Sequence, residues 1–306
     1  MSIITTGLVG PGSDPTQTGS DLILAEGLAG DRILLPLTEQ DEQRIRSQIA
    51  VTVPLARKLE ASILVINPVT LPEQLPYEMS TSEGTPRQLL DWTLNTIDES
   101  PVPPEGIVRF CRQVAEGVMQ AISEHDIDLV VLPANSGVEG VLNGDITRQI
   151  ERGADCDVVV IDRFPQQASR TKTLLPIAGG PHSGLAVDVA ASLVSESNVW
   201  VEILHVIGSD PSTEQQERAE QFVTTARDRF GTSGNVDTWV LEADEPMDAI
   251  IEQSQHYDLT IIGAPTTSRL RQFVSGSKSR TIASDAQSGV LLVRKGPRQM
   301  AGESGE

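Results

Sequence analysis

The sequence predicts an α/β protein built from two tandem, open, parallel five-stranded sheets flanked by helices. Two observations predict this class. The chain repeats itself: RILLPLT at Arg32–Thr38 returns 140 positions later as KTLLPIA at Lys172–Ala178, and HDIDLVVLP returns as HYDLTIIGAP. Short continuous apolar runs also alternate with stretches whose apolar residues recur every three or four positions, which is typical of buried parallel strands joined by helices. The shared order of elements indicates a duplicated domain.

Repeat 1, residues 31–163, opens with the strand Arg32–Thr38. A helix follows, because apolar residues step by three or four along one face, and Pro54 is expected to kink or split that helix. The residues of this apolar face are Ile45, Ile49, Val53, Ala56 and Leu59. The next predicted elements are a strand from Ser62, helices at Pro86–Ile97 and Ala115–Ser123, and strands at Leu129–Leu132 and Val158–Ile161.

Repeat 2, residues 171–296, follows the same order. Its first strand leads into a helix whose apolar face carries Leu185, Val189 and Leu193. The next predicted elements are a strand from Val199, helices at Thr213–Phe230 and Pro246–Ser254, and strands at Leu259–Ile262 and Val290–Val293. We expect the two repeats to pack as a pseudo-dimer through their last strands.

Three segments fall outside the repeats. Residues 1–30 are rich in Gly, Ser, Thr and Pro and are predicted to form a flexible N-terminal tail; docking of Leu22–Leu28 as a short helix is the alternative. Residues 164–170 are predicted to link the repeats, and residues 297–306 to form a polar C-terminal tail.

The charge balance excludes two classes of partner. The 43 acidic residues exceed the 23 basic ones and leave a formal charge of −20, whereas binding to nucleic acid or to an anionic membrane favours a surplus of Lys and Arg. Only four of the bases are lysines, and a dense acidic surface with few lysines predicts a halophilic origin; an ordinary acidic protein from a mesophile is the alternative. No apolar run reaches the ~18 residues of a membrane span, and the first residues lack the basic start of a signal peptide. We therefore expect a cytoplasmic protein.

The order of motifs resembles the universal stress protein family, in a tandem arrangement over residues 30–296. Members of that family begin with a strand of the type I-L-V-P-V-D-G-S. They end with D-L-I-V-M-G, then G-x2-G-x9-G-[S/T], a polar helix and a last strand of the type C-P-V-L-V-V. Here LLPLTEQ and LLPIAGGPHS stand for the first motif, DLVVLPANSG and DLTIIGAPTTSRLRQFVSGS for the second, and CDVVVID and SGVLLVRK for the third.

The resemblance implies an adenine nucleotide alpha hydrolase-like, Rossmann-like fold. It also implies that nucleotide-binding members hold ATP with the glycine motif and with the Asp that closes strand one. The glycine motif has a physical reason: a small-residue loop at the carboxyl end of a parallel strand lets backbone N–H groups and a helix N-terminus approach phosphate oxygens.

Repeat 2 retains part of this motif, with Thr266 in place of the second glycine. From Gly263 to Lys295 six bases accompany one acid, a net charge of +5, so a local anion site is expected. The candidate nucleotide- or anion-binding residues of this stretch are Gly263, Thr266, Arg269, Arg271, Gly276, Ser277 and Lys278.

Two departures from the family pattern predict weak or absent ATP binding. Ala178 stands where nucleotide-binding members have Asp, so the contact to ribose or adenine is missing. The Thr266 side chain takes up room where the loop approaches the phosphates. An alternative stays open, in which Gly263 and Gly276 are turn residues and the bases solvate a helix.

Repeat 1 departs further from the motif. Pro133 replaces the first glycine, Asp145 replaces the Ser, and Thr38 replaces the strand-one Asp. From Pro133 to Arg163 six acids accompany three bases, which repels phosphate. We therefore expect repeat 1 to be a structural partner for repeat 2.

The segment AGGPHSG, Ala178–Gly184, joins the first strand of repeat 2 to its first helix. Gly179 and Gly180 form a turn that suits an anion, Ser183 is placed to cap the helix, and His182 is a candidate ligand contact. The segment resembles the G-G-P-H loop of stress-protein-like cytosolic domains attached to archaeal amino-acid and cation transporters. A well-capped turn without any ligand is the simpler alternative.

No catalytic constellation is visible in the sequence. The histidines lack metal-ligand spacing, and neither a nucleophile elbow nor a Walker loop occurs. The leading hypothesis is a non-catalytic stress-response or regulatory protein that associates with itself, with a weak adenine-nucleotide or anion site in repeat 2 and no metal. A soluble regulatory subunit of an amino-acid or cation transporter is the second hypothesis, with a membrane transporter as the partner. An ATP-hydrolysing enzyme is the third.

Overall fold

The computed structural model describes residues 27–71, 84–97, 103–134, 146–162, 164–165, 171–196, 199–232, 235–264 and 289–297. In repeat 1 the elements are β1 (Arg32–Pro36), α1 (Glu42–Leu59), β2 (Ser62–Thr70), α2 (Thr85–Thr96), β3 (Glu105–Cys111), α3 (Val114–Glu124), β4 (Leu129–Pro133), α4 (Ile146–Gly153) and β5 (Asp157–Ile161). In repeat 2 they are β6 (Thr171–Pro176), α5 (Gly180–Glu196), β7 (Val199–Ile207), α6 (Thr213–Asp228), β8 (Val236–Glu242), α7 (Pro246–Ser254), β9 (Leu259–Gly263) and β10 (Gly289–Arg294).

The strands form one sheet in the order β3-β2-β1-β4-β5-β10-β9-β6-β7-β8. Pairing is parallel within each repeat, and the last strands of the two repeats pair antiparallel, from Leu291 with Ile161 to Arg294 with Val158. The predicted α/β class with parallel sheets flanked by helices is confirmed. The two predicted five-stranded sheets are instead one ten-stranded sheet, because the backbone groups at the open edges of β5 and β10 hydrogen-bond to each other.

The central strands are buried on both faces, as their continuous apolar runs predict. Every residue of β4 and β5 is buried. Alternate residues of each strand enter two core layers, so that Val131 and Val159 belong to one cluster and Val130 and Val158 to the other. Helices α1 and α5 pack against each other on one face of the sheet. The joint between the repeats is therefore a strand pair and a helix pair together.

The two outermost strands, β3 and β8, correspond to no apolar run noted in the sequence. Most residues of both strands are partly or fully exposed. A strand at the edge of a sheet has one neighbour and less cover, so its sequence carries a weaker hydrophobic signal than that of a central strand.

Helix α1 begins where its sequence provides a cap. The Asp41 carboxylate accepts hydrogen bonds from the N–H groups of Gln43 and Arg44 at 2.8 and 3.1 Å, which satisfies two of the unpaired donors at the helix start. Pro54 lies inside the helix and does not split it, contrary to one of the two sequence expectations. Pro54 cannot donate the backbone hydrogen bond of its turn, and burial of the surrounding residues, including Leu55, compensates for that loss.

Candidate functional site

The carboxyl edge of repeat 2 is the end of the sheet at which β6, β9 and β10 finish. After β6 the chain turns through Gly179 and Gly180, whose φ values are +89° and +76°. Only glycine takes such angles without strain. A Cβ added to Gly180 would meet nothing within 4 Å, so this turn faces open space at the start of α5. A glycine turn that leads into a helix N-terminus can present N–H groups to an anion.

His182 lies in the first turn of α5 and is tied to the end of β10. Its Nδ1 accepts a hydrogen bond from the Lys295 N–H at 3.0 Å. Burial, and then the nearby Arg294 charge, lower the pKa of His182 below its ordinary value. The ring is therefore neutral at pH 7, with its hydrogen on Nε2, and can donate to one ligand oxygen.

Gly263 ends β9 and packs directly against this histidine. A Cβ added to Gly263 would lie 2.8 Å from the His182 carbonyl carbon and 3.0 Å from the His182 Cβ, both too close. The fold therefore brings together two motifs whose residues His182 and Gly263 are 81 positions apart in the sequence. It also supplies a packing reason for glycine at position 263 that does not depend on a phosphate.

Ser183 closes the glycine turn by a different hydrogen bond from the expected helix cap. Its buried hydroxyl oxygen accepts the Ala178 N–H at 3.2 Å, which links the end of the strand to the first turn of α5. Ala178 supplies no carboxylate to this edge, so the family's ribose or adenine contact has no equivalent at that position.

The other candidate residues lie outside the described part of the chain. These are Thr266, Arg269, Arg271, Gly276, Ser277 and Lys278. The site that can be described consists of the glycine turn, His182, Gly263 and the two bases that end β10.

Those two bases, Arg294 and Lys295, are bound to repeat 1. The Lys295 ammonium lies 3.2 Å from Asp157 Oδ2, and the two side chains are 4% and 0% exposed. The other carboxylate oxygen of Asp157 accepts the Gly296 N–H at 2.8 Å. Burial raises the pKa of Asp157, and the hydrogen bond from Gly296 and the Lys295 charge oppose that rise.

The Arg294 guanidinium also reaches repeat 1. Its Nη2 donates to the carbonyl oxygens of Ala154 at 2.7 Å and Cys156 at 3.3 Å. Its Nε is buried and has no hydrogen-bond acceptor among the described residues. The Lys295–Asp157 pair offsets one of the positive charges counted in the sequence, whereas Arg294 keeps its charge because its acceptors in Ala154 and Cys156 are neutral carbonyl oxygens.

Sequence reasoning missed Asp157. It is the first residue of β5, and the antiparallel pairing of β5 with β10 puts the start of one strand beside the end of the other. Two signals for it are available in the sequence. An acid stands at the start of a buried strand of repeat 1, and a lysine follows the equivalent strand of repeat 2.

The equivalent edge of repeat 1 is occupied by its own side chains. Arg44 donates from Nη1 to the Ala134 carbonyl at 2.6 Å, and its Nε lies 3.2 Å from Glu39. At the offset of 140 positions, Glu39 and Arg44 correspond to Gly179 and Gly184. The side chains that fill the edge of repeat 1 therefore have no counterpart in repeat 2.

Within the described ranges, no group of three or more His, Cys, Asp and Glu side chains is arranged to hold a metal ion. Cys111 and Cys156 are both buried and are not joined in a disulfide. None of the helices in the described part of the chain is long and apolar enough to cross a membrane.

The chain belongs to the universal stress protein family, because the family model matches residues 30–162 and again residues 170–294. The tandem arrangement is thereby confirmed. A comparison with curated proteins found no match.

Solved structures share the fold at low sequence identity. A universal stress protein from Archaeoglobus fulgidus aligns with a TM-score of 0.55 at 14% identity, over 89% of this chain and 99% of that chain. The cytoplasmic domain of a prokaryotic cation chloride cotransporter aligns with a TM-score of 0.55 at 15% identity, over 86% and 95%. A protein described as a putative universal stress protein from Pseudomonas aeruginosa aligns with a TM-score of 0.54 at 12% identity, over 88% and 95%.

Proposed function

We propose that the chain is a non-catalytic regulatory protein of the stress-response type. In this proposal repeat 2 binds an adenine nucleotide or another anion weakly, and repeat 1 is its structural partner. The observation that carries the proposal is the asymmetry of the two carboxyl edges. Glu39 and Arg44 fill the edge of repeat 1, whereas glycines stand at both equivalent positions of repeat 2.

The groups at the edge of repeat 2 are suited to a phosphate. The turn at Gly179 and Gly180 faces open space, and His182 offers a neutral Nε2–H donor. The positive charge of Arg294 acts on His182, whose pKa it lowers, and would also favour an anion near this turn. These residues would hold the phosphate group of a bound nucleotide.

Weak binding follows from what this edge lacks. Ala178 cannot accept a hydrogen bond from a ribose hydroxyl, and Lys295 is already paired with Asp157. The described residues at the edge act as donors, and none of them forms a base–nucleophile pair, so we infer binding rather than turnover. The same inference leaves ATP hydrolysis as the least supported function.

The decisive experiment is thermal unfolding with and without millimolar ATP, at low and at molar KCl. A ligand at ten times its Kd stabilises the folded state by about 1.4 kcal/mol, which raises Tm by a few degrees in a protein of this size. We expect this rise for the natural chain. An unchanged Tm at both salt concentrations rules out the nucleotide site.

A matched pair of variants locates the ligand. Gly180→Asp adds a negative charge to the turn and should abolish the ATP-dependent rise. Gly231→Asp makes the same change where φ is +62° and an added Cβ also meets nothing within 4 Å, but it lies in the connection from α6 to β8 and not in the glycine turn. Gly231→Asp should therefore keep the rise. Equal loss in both variants would show an unspecific effect of charge.

A second proposal is a soluble regulatory subunit of an amino-acid or cation transporter, active in the cytoplasm. The GGPH loop supports it, and so does the fold shared with the cytoplasmic domain of a cation chloride cotransporter. Co-purification of the chain with native membranes, lost on washing with detergent rather than with salt, would favour this proposal. Recovery of the whole protein in the unbound fraction would exclude it.

A further inference from the structure

Strand β8 is the outermost strand of repeat 2, and among the described residues only β7 lies beside it. Its pairing with β7 is continuous from Val236 to Glu242. Hydrogen bonds at its two ends show which residues face β7: the Asn235 carbonyl accepts one from β7 and the Ala243 N–H donates one to β7, both at 2.9 Å. Backbone groups of successive residues point to opposite edges of a strand. The residues of β8 that face its open edge are therefore Val236, Thr238, Val240 and Glu242.

The open edge of β8 combines unpaired backbone groups with an apolar centre. Its first residue is covered, because the Val236 carbonyl accepts a hydrogen bond from Arg227 Nε at 3.3 Å. The other three outward residues have no backbone partner at this edge in the described part of the chain. The side chains in the middle of the strand, Trp239, Val240 and Leu241, are all partly exposed. Such an edge is a template for pairing with another chain.

Strand β3, at the opposite end of the sheet, is better protected. A charge within an edge strand is a common defence against pairing, and β3 carries Arg109, whose guanidinium lies 2.7 Å from Glu124. In β8 the charged residues Asp237 and Glu242 flank the apolar centre and do not interrupt it. Of the two outermost strands, β8 is therefore the one suited to a partner strand.

We propose that β8 pairs antiparallel with β8 of a second copy of this chain, about a two-fold axis beside Val240, so that two ten-stranded sheets become one. In this register Val240 lies opposite its own counterpart, and Thr238 lies opposite Glu242 of the second copy. Both residues of each pair have outward N–H and C=O groups, so they exchange hydrogen bonds. On the other face of the sheet, the same register puts Trp239 opposite Leu241.

The side chains and charges suit this register. The apolar pair of an aromatic and an aliphatic residue occurs twice by symmetry, and such cross-strand pairs stabilise a sheet. No like charges stand directly opposite each other, since Asp237 faces Ala243 of the second copy. The acids that follow β8, Asp244 and Glu245, come to the end at which the second copy carries Arg227. The surface is therefore complementary to itself in both polarity and charge.

The overall charge makes pairing depend on salt. Each copy carries −20, so long-range repulsion opposes the dimer, and KCl screens that repulsion. Sedimentation velocity of the whole chain, without nucleotide, should show a reversible monomer–dimer equilibrium that strengthens from low to molar KCl. A monomer at every protein and salt concentration would overturn the proposal. A series of larger assemblies would overturn it too, because a head-to-tail contact forms these and a two-fold contact does not.

Opposite charges placed at one exposed position test the register. Thr238→Lys puts a base opposite Glu242 in both symmetric pairs and should lower the Kd of the dimer about fivefold, whereas Thr238→Glu should raise it about fivefold. Adding Glu242→Lys to Thr238→Glu should restore the dimer. Thr85→Lys and Thr85→Glu are the matched controls, because Thr85 is an exposed residue of α2 in repeat 1 and the net charge changes equally. Equal effects at the two positions would refute the register.

Hydrogen exchange locates the interface independently of any variant. As the protein concentration rises through the Kd of the dimer, the amides of Thr238, Val240 and Glu242 should exchange more slowly, since they become donors in the dimer. The amide of Val108 in β3 should not change. A dimer without protection in β8 would overturn the proposal, as would protection in β3 instead. None of these measurements involves a nucleotide, so the proposed function stands or fails separately.

Discussion

Replacing Lys295 by methionine tests the buried ion pair that joins the two repeats. Methionine keeps the length of the side chain and removes the charge. Among the contacts of the described residues, Asp157, which is fully buried, would then retain its hydrogen bond from the Gly296 N–H and lose its charge partner. Removing one partner of a buried pair leaves an uncompensated charge, and we expect the free energy of unfolding to fall by about 3–5 kcal/mol.

Two comparisons separate the charge effect from the change of side chain. The double variant Asp157→Leu with Lys295→Met removes both charges and should lie within about 1 kcal/mol of the natural protein, because a buried pair can be exchanged for apolar residues at little cost. The exposed pair Arg87–Asp91 has a similar separation of 3.0 Å, with side chains 50% and 49% exposed. Arg87→Met should cost only about 0.3–0.5 kcal/mol.

Urea unfolding followed by circular dichroism is the appropriate assay, because urea does not screen charges. The cost of Lys295→Met should shrink as the pH falls, since burial raises the pKa of Asp157 and protonation removes the stranded charge. A cost at pH 7 no larger than that of Arg87→Met would refute the reasoning. An equal cost for the single and the double variant would refute it too.

Two further outcomes follow from the region around the glycine turn. Gly263→Ala should lower the free energy of unfolding by about 1–3 kcal/mol, because the added Cβ would lie 2.8 Å from the His182 backbone. Gly208→Ala, where an added Cβ meets nothing within 4 Å, should change it little. Equal urea midpoints for the two variants would contradict this. His205 is buried and donates from Nδ1 to the Ile177 carbonyl at 2.8 Å, and burial lowers its pKa. In the unfolded protein His205 has its ordinary pKa of about 6.5, so just below that pH it binds more protons than in the folded protein. The free energy of unfolding should therefore fall as the pH drops through that value, and it should fall less in His205→Asn. Parallel pH profiles for the two proteins would exclude this role for His205.

Much of the fold could be predicted from local sequence, because the central strands are short apolar runs that need no partner to be recognised. The predicted strand Leu129–Leu132 is observed as Leu129–Pro133, and the predicted helix Pro246–Ser254 is observed with the same ends. The outermost strands β3 and β8 could not be placed in this way. Their partial exposure breaks the apolar run on which such a prediction depends.

The separate motifs of the candidate site could be predicted from the sequence, but their contact in space could not. The turn at Gly179 and Gly180 and the glycine at the end of β9 are visible as separate motifs. Their contact through His182 arises because parallel neighbouring strands end at the same edge of the sheet. One of the positive charges counted along the sequence is offset in space, since Lys295 pairs with Asp157 of repeat 1.

The sequence by itself determined the duplication, the parallel α/β class and the absence of a carboxylate at Ala178, because repeated motifs, apolar runs and the identity of one residue can be read without knowing which segments meet in space. The tertiary structure decided which residues meet across the joint. Asp157 and Lys295 are 138 positions apart, and Leu28, which the sequence assigns to the flexible tail, meets α5 across 160. Such pairings follow from the antiparallel register of β5 with β10 and from the path of the chain, and no local pattern of charge or hydrophobicity encodes either of them.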